Sequence, residues 1–316
     1  MQRRQFVKTG GALLTAGMVG LSGCGGVFGG GDGAGTGSFG NVTDWTPTPE
    51  SLDSDATYRF NARFPSRLAE VSDNPSWRSA FSQQTAFGRL AAEDVKYTIR
   101  AGGAGRLPED RSFRVHVGDF DSEWIGTKLQ RIESDGEVFD PDAPIGEYDV
   151  YTAGTRAFAV SGDAIVVARH GAPPGDEDPD PAGLAETIID TSTGDADSYA
   201  TDTDMSVLAD AIPDGHVFRA DTFEQISSED ADPETGEFEN LVGRGQSVTV
   251  QGSQADVSQL LVFFAERAVD EDAIETYIEE SSEFNAYQQR PEYEVNGRTV
   301  EITGTSNLGS ALFPGT

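Results

Sequence analysis

The side chains best suited to catalysis or metal binding are few and widely separated. Three histidines, His116, His170 and His216, lie in separate segments. No two of them have the i, i+4 or H-x-H spacing that brings two imidazoles to one metal ion. There is no G-x-S-x-G turn for a nucleophile, no G-x-x-x-x-G-K-[ST] loop, and no G-x-G-x-x-G that opens a helix after a strand. The sequence therefore carries no recognisable catalytic motif, and we expect the protein not to be an enzyme.

Carboxylates are abundant, but they form no distinctive set. Among 54 acidic residues, a catalytic pair for glycoside hydrolysis cannot be singled out. Calcium is the one cofactor to weigh, because Asp195–Asp197, Asp202–Asp204 and Asp230–Gly236 present acids at alternating positions. The last segment departs from an EF-hand loop at Thr235, where glycine belongs, and at Leu241, where the closing glutamate belongs. We interpret all three as solvated loops and expect no cofactor, with Ca²⁺ as the alternative.

The one cysteine ends an N-terminal segment with the features of an export signal. Arg3, Arg4 and Lys8 precede a weakly apolar stretch of 14 residues, Gly10–Gly23, and Cys24 follows directly. A transmembrane helix needs about 20 apolar residues, so this stretch is too short to span a membrane. The positive charges hold the N-terminus on the cytoplasmic side. We predict that residues 1–23 are a cleaved signal.

Two motifs in this segment resemble known signals. The paired Arg3 and Arg4 resemble a twin-arginine signal, which implies export of an already folded protein. Leu21-Ser22-Gly23-Cys24 resembles a lipobox, which implies cleavage before Cys24 and lipid attachment there. The resemblance places the protein on the outer face of the cell membrane, held to the lipid membrane through Cys24. An ordinary cleaved signal with an incidental cysteine is the alternative.

The composition is strongly acidic. The full chain has a formal net charge of −32, and after residue 23 there remain 54 acidic residues against 19 basic ones, a net charge of −35. Only Lys96 and Lys128 remain as lysines in that part. Such a surface repels itself in dilute salt and is stable where the Debye length is near 3 Å, at about 1 M salt. We therefore expect a halophilic host, and the signal and composition together resemble lipoproteins exported by haloarchaea.

The charge also limits the partners. No window of the sequence carries the basic patch that nucleic acid or an anionic lipid surface requires. We therefore expect no nucleic-acid partner. The remaining partners are a surface protein or a small solute, neither of which the sequence identifies.

The segment after Cys24 is rich in glycine and then in threonine and proline. This composition predicts a flexible tether over residues 24–50. Asn41-Val42-Thr43 is a glycosylation sequon within it, so Asn41 is a candidate modification site.

The body contains two segments that match at a spacing of 135 residues. Val160–Val167 and Val295–Ile302 each predict a strand, a tight turn and a strand, with Asn296-Gly297 as a strong turn pair. The same spacing pairs Asp121 with Asp256, and each predicts a helix N-cap. Helices are also predicted through Phe87–Ala91 and Met205–Ile212, and a strand over Glu186–Asp190.

These elements predict an α+β fold made of two similar α-β-β-α-β-β halves, with antiparallel sheets and the helices packed on one face. The first repeat covers residues 51–195 and the second covers residues 196–316. Chance alignment of two α+β segments is the alternative to duplication.

Three functional hypotheses follow. The favoured one is a non-catalytic surface lipoprotein that binds a partner or has a role in the cell envelope. The second is the solute receptor of an ABC transporter, although the predicted hairpins differ from the parallel βαβ lobes usual in such receptors. The third is an exported hydrolase with dispersed acids.

Overall fold

The computed structural model describes residues 37–52, 58–71, 82–102, 111–131, 138–171 and 179–312. The described residues all belong to one compact unit. Its centre is an antiparallel sheet of 12 strands within the described residues, so the α+β class predicted from sequence is confirmed.

The strands, in chain order, are β1 Phe60–Arg63, β2 Gln83–Thr85, β3 Gly88–Leu90, β4 Val95–Gly102, β5 Arg111–Gly118, β6 Asp140–Pro141, β7 Asp149–Ala153, β8 Arg156–Val160, β9 Ala164–His170, β10 Val217–Thr222, β11 Leu241–Gln251, β12 Gln254–Phe263, β13 Glu292–Asn296 and β14 Thr299–Asn307. Strands β2 and β3 form a separate hairpin. The other 12 lie in the order β13-β14-β12-β11-β10-β1-β4-β5-β9-β8-β7-β6.

The sheet has two similar halves that meet where β1 pairs with β10. Outward from that pair the strand order is β1-β4-β5-β9-β8-β7-β6 on one side and β10-β11-β12-β14-β13 on the other, so five strands on each side correspond and β7 and β6 extend the first half. The β8–β9 and β13–β14 hairpins occupy corresponding places in the two halves, and the second one turns through Gly297 at φ 60°. The two halves share one sheet, and each contributes three strands to it, rather than two, before its central helix; the first half has the separate β2–β3 hairpin in addition.

The helices in the described residues are α1 Gly40–Thr43, α2 Pro65–Val71, α3 Ser122–Leu129, α4 Pro181–Thr193, α5 Thr203–Ala211, α6 Glu271–Glu280 and α7 Leu308–Leu312. They cover both faces of the sheet. Helices α1, α4 and α5 pack on what we call the front face, and α2, α3, α6 and α7 pack on the back face. The expectation of a single helical face is therefore wrong, because the strands bury apolar side chains on both sides.

One continuous core lies under the front face. It joins both halves of the sheet, from Val150 on β7 to Val262 on β12. The back face instead has three separate apolar clusters, one under α3, one under α2 and α7, and one under α6. A polar part of the back face therefore lies between the clusters.

The predicted tether is wrong from residue 37 onward. Phe39, Val42 and Trp45 are buried, and the Phe39 ring lies 5.6 Å from the Phe60 ring and 5.5 Å from the Phe218 ring. Gly37 pairs with Gly215 through two backbone hydrogen bonds. The glycines and prolines suggested a linker, but the interleaved apolar side chains anchor this segment to the core.

Several predicted elements have a different structure. Asp256 lies inside β12, where Leu260 and Val262 face the front core while Leu261 and Phe263 face the back. A strand buried on both faces has a continuous apolar run, which resembles a buried helix in sequence. The helix expected near Phe87 is the β2–β3 hairpin.

Two helix starts show how the local sequence sets the elements. Asp121 caps α3 as predicted, since its Oδ1 accepts a hydrogen bond from the Trp124 amide at 2.9 Å. The strand predicted over residues 186–190 is instead part of α4, which begins with an Asp180 cap and Pro181 and ends at Gly194 with φ 83°. No helix in the described part of the chain is long and apolar enough to cross a membrane.

Candidate functional site

Of the residues predicted to direct export, lipid attachment or glycosylation, only Asn41 lies within the described part of the chain. Arg3, Arg4 and Cys24 lie outside the described residues. Asn41 is exposed on α1, and the sequon's Thr43 is buried with its hydroxyl donating to the Gly40 carbonyl. The side chain of Asn41 is thus available at the surface.

The three histidines lie on separate elements. His116 on β5 is fully buried, and its Nδ1 lies 3.0 Å from Thr98 Oγ1. His216, just before β10, is buried and accepts a hydrogen bond from the Val250 amide. His170 contacts the backbone of Asp180. The structure does not bring them together into a catalytic or metal-binding set.

The aspartates weighed as calcium ligands have other partners. Asp202 caps α5, and Asp204 forms an ion pair with Arg298 at 2.7 Å. Asp195 accepts a hydrogen bond from Thr193, and Asp230 accepts one from Ser227. Among the described residues, no three His, Cys, Asp or Glu side chains are grouped so as to hold a metal ion.

Two open concavities lie on the second half of the sheet. The larger, of about 640 Å³, lies at the start of α6, where Asp270 already caps the helix. The smaller, of about 310 Å³, is lined by hydroxyl side chains and by Asp214 and Asp256. Neither concavity is lined by a histidine, and neither brings several basic side chains together. We therefore do not choose either as the candidate binding site.

The most distinctive set of side chains lies on the polar part of the back face. Side chains alternate between the faces along each strand, and the apolar clusters fix which positions face back. Seven arginines have back-facing positions on six neighbouring strands, β10, β1, β4, β5, β9 and β8; one of them, Arg59, lies just before β1. They are Arg59, Arg63, Arg100, Arg114, Arg156, Arg169 and Arg219. We call this set the arginine band.

The register places these arginines in three neighbouring rows across the strands. The middle row is Gln246, Arg219, Asn61, Arg100 and Arg114, each directly opposite the next. A second row contains Asp221 and Arg59, then Ser112, Arg169 and Arg156. On β11 this row continues to Arg244, which lies opposite Asp221 and forms an ion pair with Glu237, so we do not count it in the band. The third row contains Arg63, Thr98 and His116.

Two pairs of arginines lie directly opposite each other on adjacent strands. Arg100 pairs with Arg114 between β4 and β5, and Arg156 pairs with Arg169 between β8 and β9. Like charges directly opposite in a sheet destabilise it by up to about 1 kcal/mol per pair. In a chain with 54 acidic residues and 22 basic ones, this arrangement concentrates scarce positive charge at a cost in stability.

A few polar contacts position the band. Asp221, which is 3% exposed, is the one carboxylate at the row positions and lies 3.0 Å from the Arg59 guanidinium. Arg219 donates to Gln246 Oε1 at 2.6 Å and to the Leu312 carbonyl at 3.2 Å, which joins the band to α7. Arg100 and Arg169 are exposed. Some arginines of the band, such as Arg219, are therefore held by contacts within the protein, whereas Arg100 and Arg169 are open to solvent.

The arginines alter one another's electrostatics. Burial, and then the nearby Arg63 and Arg59, lower the pKa of Arg219 to about 10. Burial and the charge of Arg100 also lower the pKa of both Arg63 and Arg114. A guanidinium group keeps its proton at neutral pH even when its pKa is lowered in this way, so the band is a cationic surface on which a bound anion would relieve mutual repulsion.

The linear sequence hides this surface. The prediction that there is no basic patch was based on sequence windows, and it is wrong in three dimensions, because each strand contributes only one or two arginines. The sequence does contain one signal: Arg100, Arg114 and Arg219 each lie between apolar residues on a strand, which places each arginine on the opposite face from its neighbours. Only the pairing of the strands shows that these three arginines lie in one row. The absence of a nucleic-acid partner stays a prediction.

No family model matches this chain, and no curated protein matches it. Among solved structures, the chain is similar to TP0453. Crystal form I matches at 10% identity with a TM-score of 0.45, over 84% of this chain and 97% of that one. Crystal form III matches at 10% identity with a TM-score of 0.45, over 83% of this chain and 96% of that one. Function is therefore inferred from the residues of this chain.

Proposed function

We propose that this protein is an exported halophilic lipoprotein, anchored outside the cell membrane through Cys24, that acts as a non-catalytic binding module for an anionic ligand. The arginine band is the observation that carries the binding role. It has seven arginines and one carboxylate at its row positions, whereas the chain as a whole has more than twice as many acids as bases.

The N-terminal motifs support the location. Arg3 and Arg4 fit a twin-arginine route, and Cys24 fits a lipid attachment site. Twelve residues, 25–36, lie between Cys24 and Gly37, the first described residue, so thirteen residue steps join the two. At about 3.4 Å per residue they reach at most about 45 Å, so the proposed anchor keeps the body close to the membrane.

Two of the three histidines, His116 and His216, are poorly suited to act as general bases. Burial, and then Arg114, lower the pKa of His116 to about 3, and burial and then Arg67 lower that of His216 to about 4. Both groups are neutral, weakly basic and buried at neutral pH. A general base works best with a pKa near the working pH and needs contact with its substrate.

Binding is tested on the full mature protein by thermal unfolding in multimolar salt, with polycarboxylates and their neutral analogues as probes. We expect anionic probes to raise the Tm and neutral analogues of the same size to leave it unchanged. Equal effects from both classes would contradict the proposed binding role.

The location is tested separately by membrane fractionation. We expect the wild-type protein in the membrane fraction and the Cys24→Ser variant released from it. A Cys24→Ser variant that stays with the membrane would contradict the anchor without bearing on the binding face.

A further inference from the structure

Building on the proposed binding role, we infer that the ligand of the arginine band is an extended, carboxylate-bearing polysaccharide that lies across the strands. The inference rests on the length of the band, the choice of arginine, and the side chains that lie between the arginines.

The band is longer than a small anion. It runs from Arg219 on β10 to Arg156 on β8, across the adjacent strands β10, β1, β4, β5, β9 and β8. Neighbouring strands are about 4.8 Å apart, so these five intervals span about 24 Å. Arg219 is held by Gln246 and Leu312, and Arg63, Arg114 and Arg156 also have partners within the protein. The exposed members are Arg59, Arg100 and Arg169, which are spread over the three intervals from β1 to β9, about 14 Å. A single carboxylate or phosphate contacts one or two of these exposed arginines, whereas a chain of anionic groups reaches all three.

The proposed saline environment also favours a ligand with many charges. At about 1 M salt the Debye length is about 3 Å, so long-range attraction is screened. A single exposed ion pair contributes only about 0–1 kcal/mol, and tight binding then requires several direct contacts at once. Arginine suits this because its planar guanidinium binds a carboxylate through two parallel hydrogen bonds. Both lysines after residue 23, Lys96 and Lys128, lie outside the band.

The position of the band argues against a peptide ligand. Peptides commonly add a strand to a sheet edge or place apolar side chains in a groove. Strands β10, β1, β4, β5 and β9 are each paired on both sides, so they offer no free edge. The side chains between the arginines are polar, namely Asn61, Ser112 and Gln246. They suit hydroxyl and ring oxygens better than apolar side chains.

The side chains also argue against nucleic acid. Single strands bind through bases stacked on aromatic rings along a basic groove. The row positions on β10, β1, β4, β5 and β9 carry no Phe, Tyr or Trp.

Binding of polygalacturonate, a polymer of uronic acid units, to the full mature protein in multimolar salt tests the inference. The test variant is Arg100→Gln/Arg169→Gln, since both side chains are exposed and each belongs to one of the opposed pairs. The matched control is Arg267→Gln/Arg290→Gln, two exposed arginines outside the band, which changes the net charge equally. Unfolding curves establish that both variants are folded.

We expect the test variant to bind polygalacturonate at least tenfold more weakly than wild type and the control to bind within about twofold of wild type. Equal loss in both variants would overturn the inference, since net charge alone would then explain binding. Tighter band-dependent binding of polyglutamate or single-stranded DNA would overturn the polysaccharide class but leave the binding role intact. Binding of citrate without binding of any polymer would also overturn the polysaccharide class and leave the binding role intact. If no anion binds, both the polysaccharide class and the proposed binding role are overturned.

Discussion

Acidification should destabilise this protein through its buried histidines before most carboxylates titrate. His116 is fully buried on β5, beside Thr98 and in the row next to Arg100 and Arg114. Its Nε2 is buried with no hydrogen-bond partner in the described residues, and so is Nε2 of His216. A proton added to either ring would place a charge in the core.

The magnitude follows from the pKa values. Unfolding returns each histidine to a pKa near 6.5, whereas the folded values are about 3 for His116 and about 4 for His216. Between these limits the unfolded state binds more protons, so stability is greatest above about pH 6.5 and falls as the pH drops. At about pH 5 each histidine removes about 2 kcal/mol relative to neutral pH, or about 4 kcal/mol together.

Urea unfolding in multimolar salt, repeated between about pH 7 and pH 5, measures this loss. His116→Gln keeps a hydrogen-bonding group next to Thr98 but does not titrate, so we expect it to lose about 2 kcal/mol over this range where wild type loses about 4. His216→Gln should do the same independently. If wild type and both variants lose stability in parallel, the two histidines are not the groups responsible, and the reasoning is refuted.

Substitutions at three further positions test the packing and the capping of α3. Phe39→Ala should cost about 3–5 kcal/mol in urea unfolding, because the ring is 2% exposed between Phe60 and Phe218; a loss near zero would restore residues 37–50 as a tether. Asp121→Ala should cost about 1 kcal/mol by removing the α3 cap, while Asp121→Asn keeps it; equal losses would exclude capping as the cause. Gly118→Ala should cost about 1–3 kcal/mol, because an added Cβ would collide with the backbone carbonyl of Asp94; unchanged stability would mean that β5 shifts freely there.

Local signals in the sequence predict part of this fold. The hairpin around Asn296-Gly297, the Asp121 cap and the helix through Met205 and Leu208 each depend on a few neighbouring residues, and each is present. The class of the fold follows from such elements. The sequence fails at β12 because a strand covered on both faces loses its alternation and has the apolar run of a buried helix.

The candidate site could not be predicted because it depends on pairing between distant strands. Arg100 and Arg219 are more than a hundred residues apart, yet both lie opposite Asn61 on β1. Within each strand, a single arginine between apolar residues indicates only an exposed position. The register of the sheet turns these separate positions into one cationic surface.

The most direct test of the binding face is arginine-selective chemical labelling of the full mature protein, with and without polygalacturonate, read out residue by residue. We predict that the polymer protects Arg100 and Arg169, which are exposed in the band, and leaves the labelling of the exposed Arg267 unchanged. Equal labelling of Arg100 and Arg169 with and without bound polymer, or protection of Arg267 to the same degree, would contradict the arginine band as the binding surface.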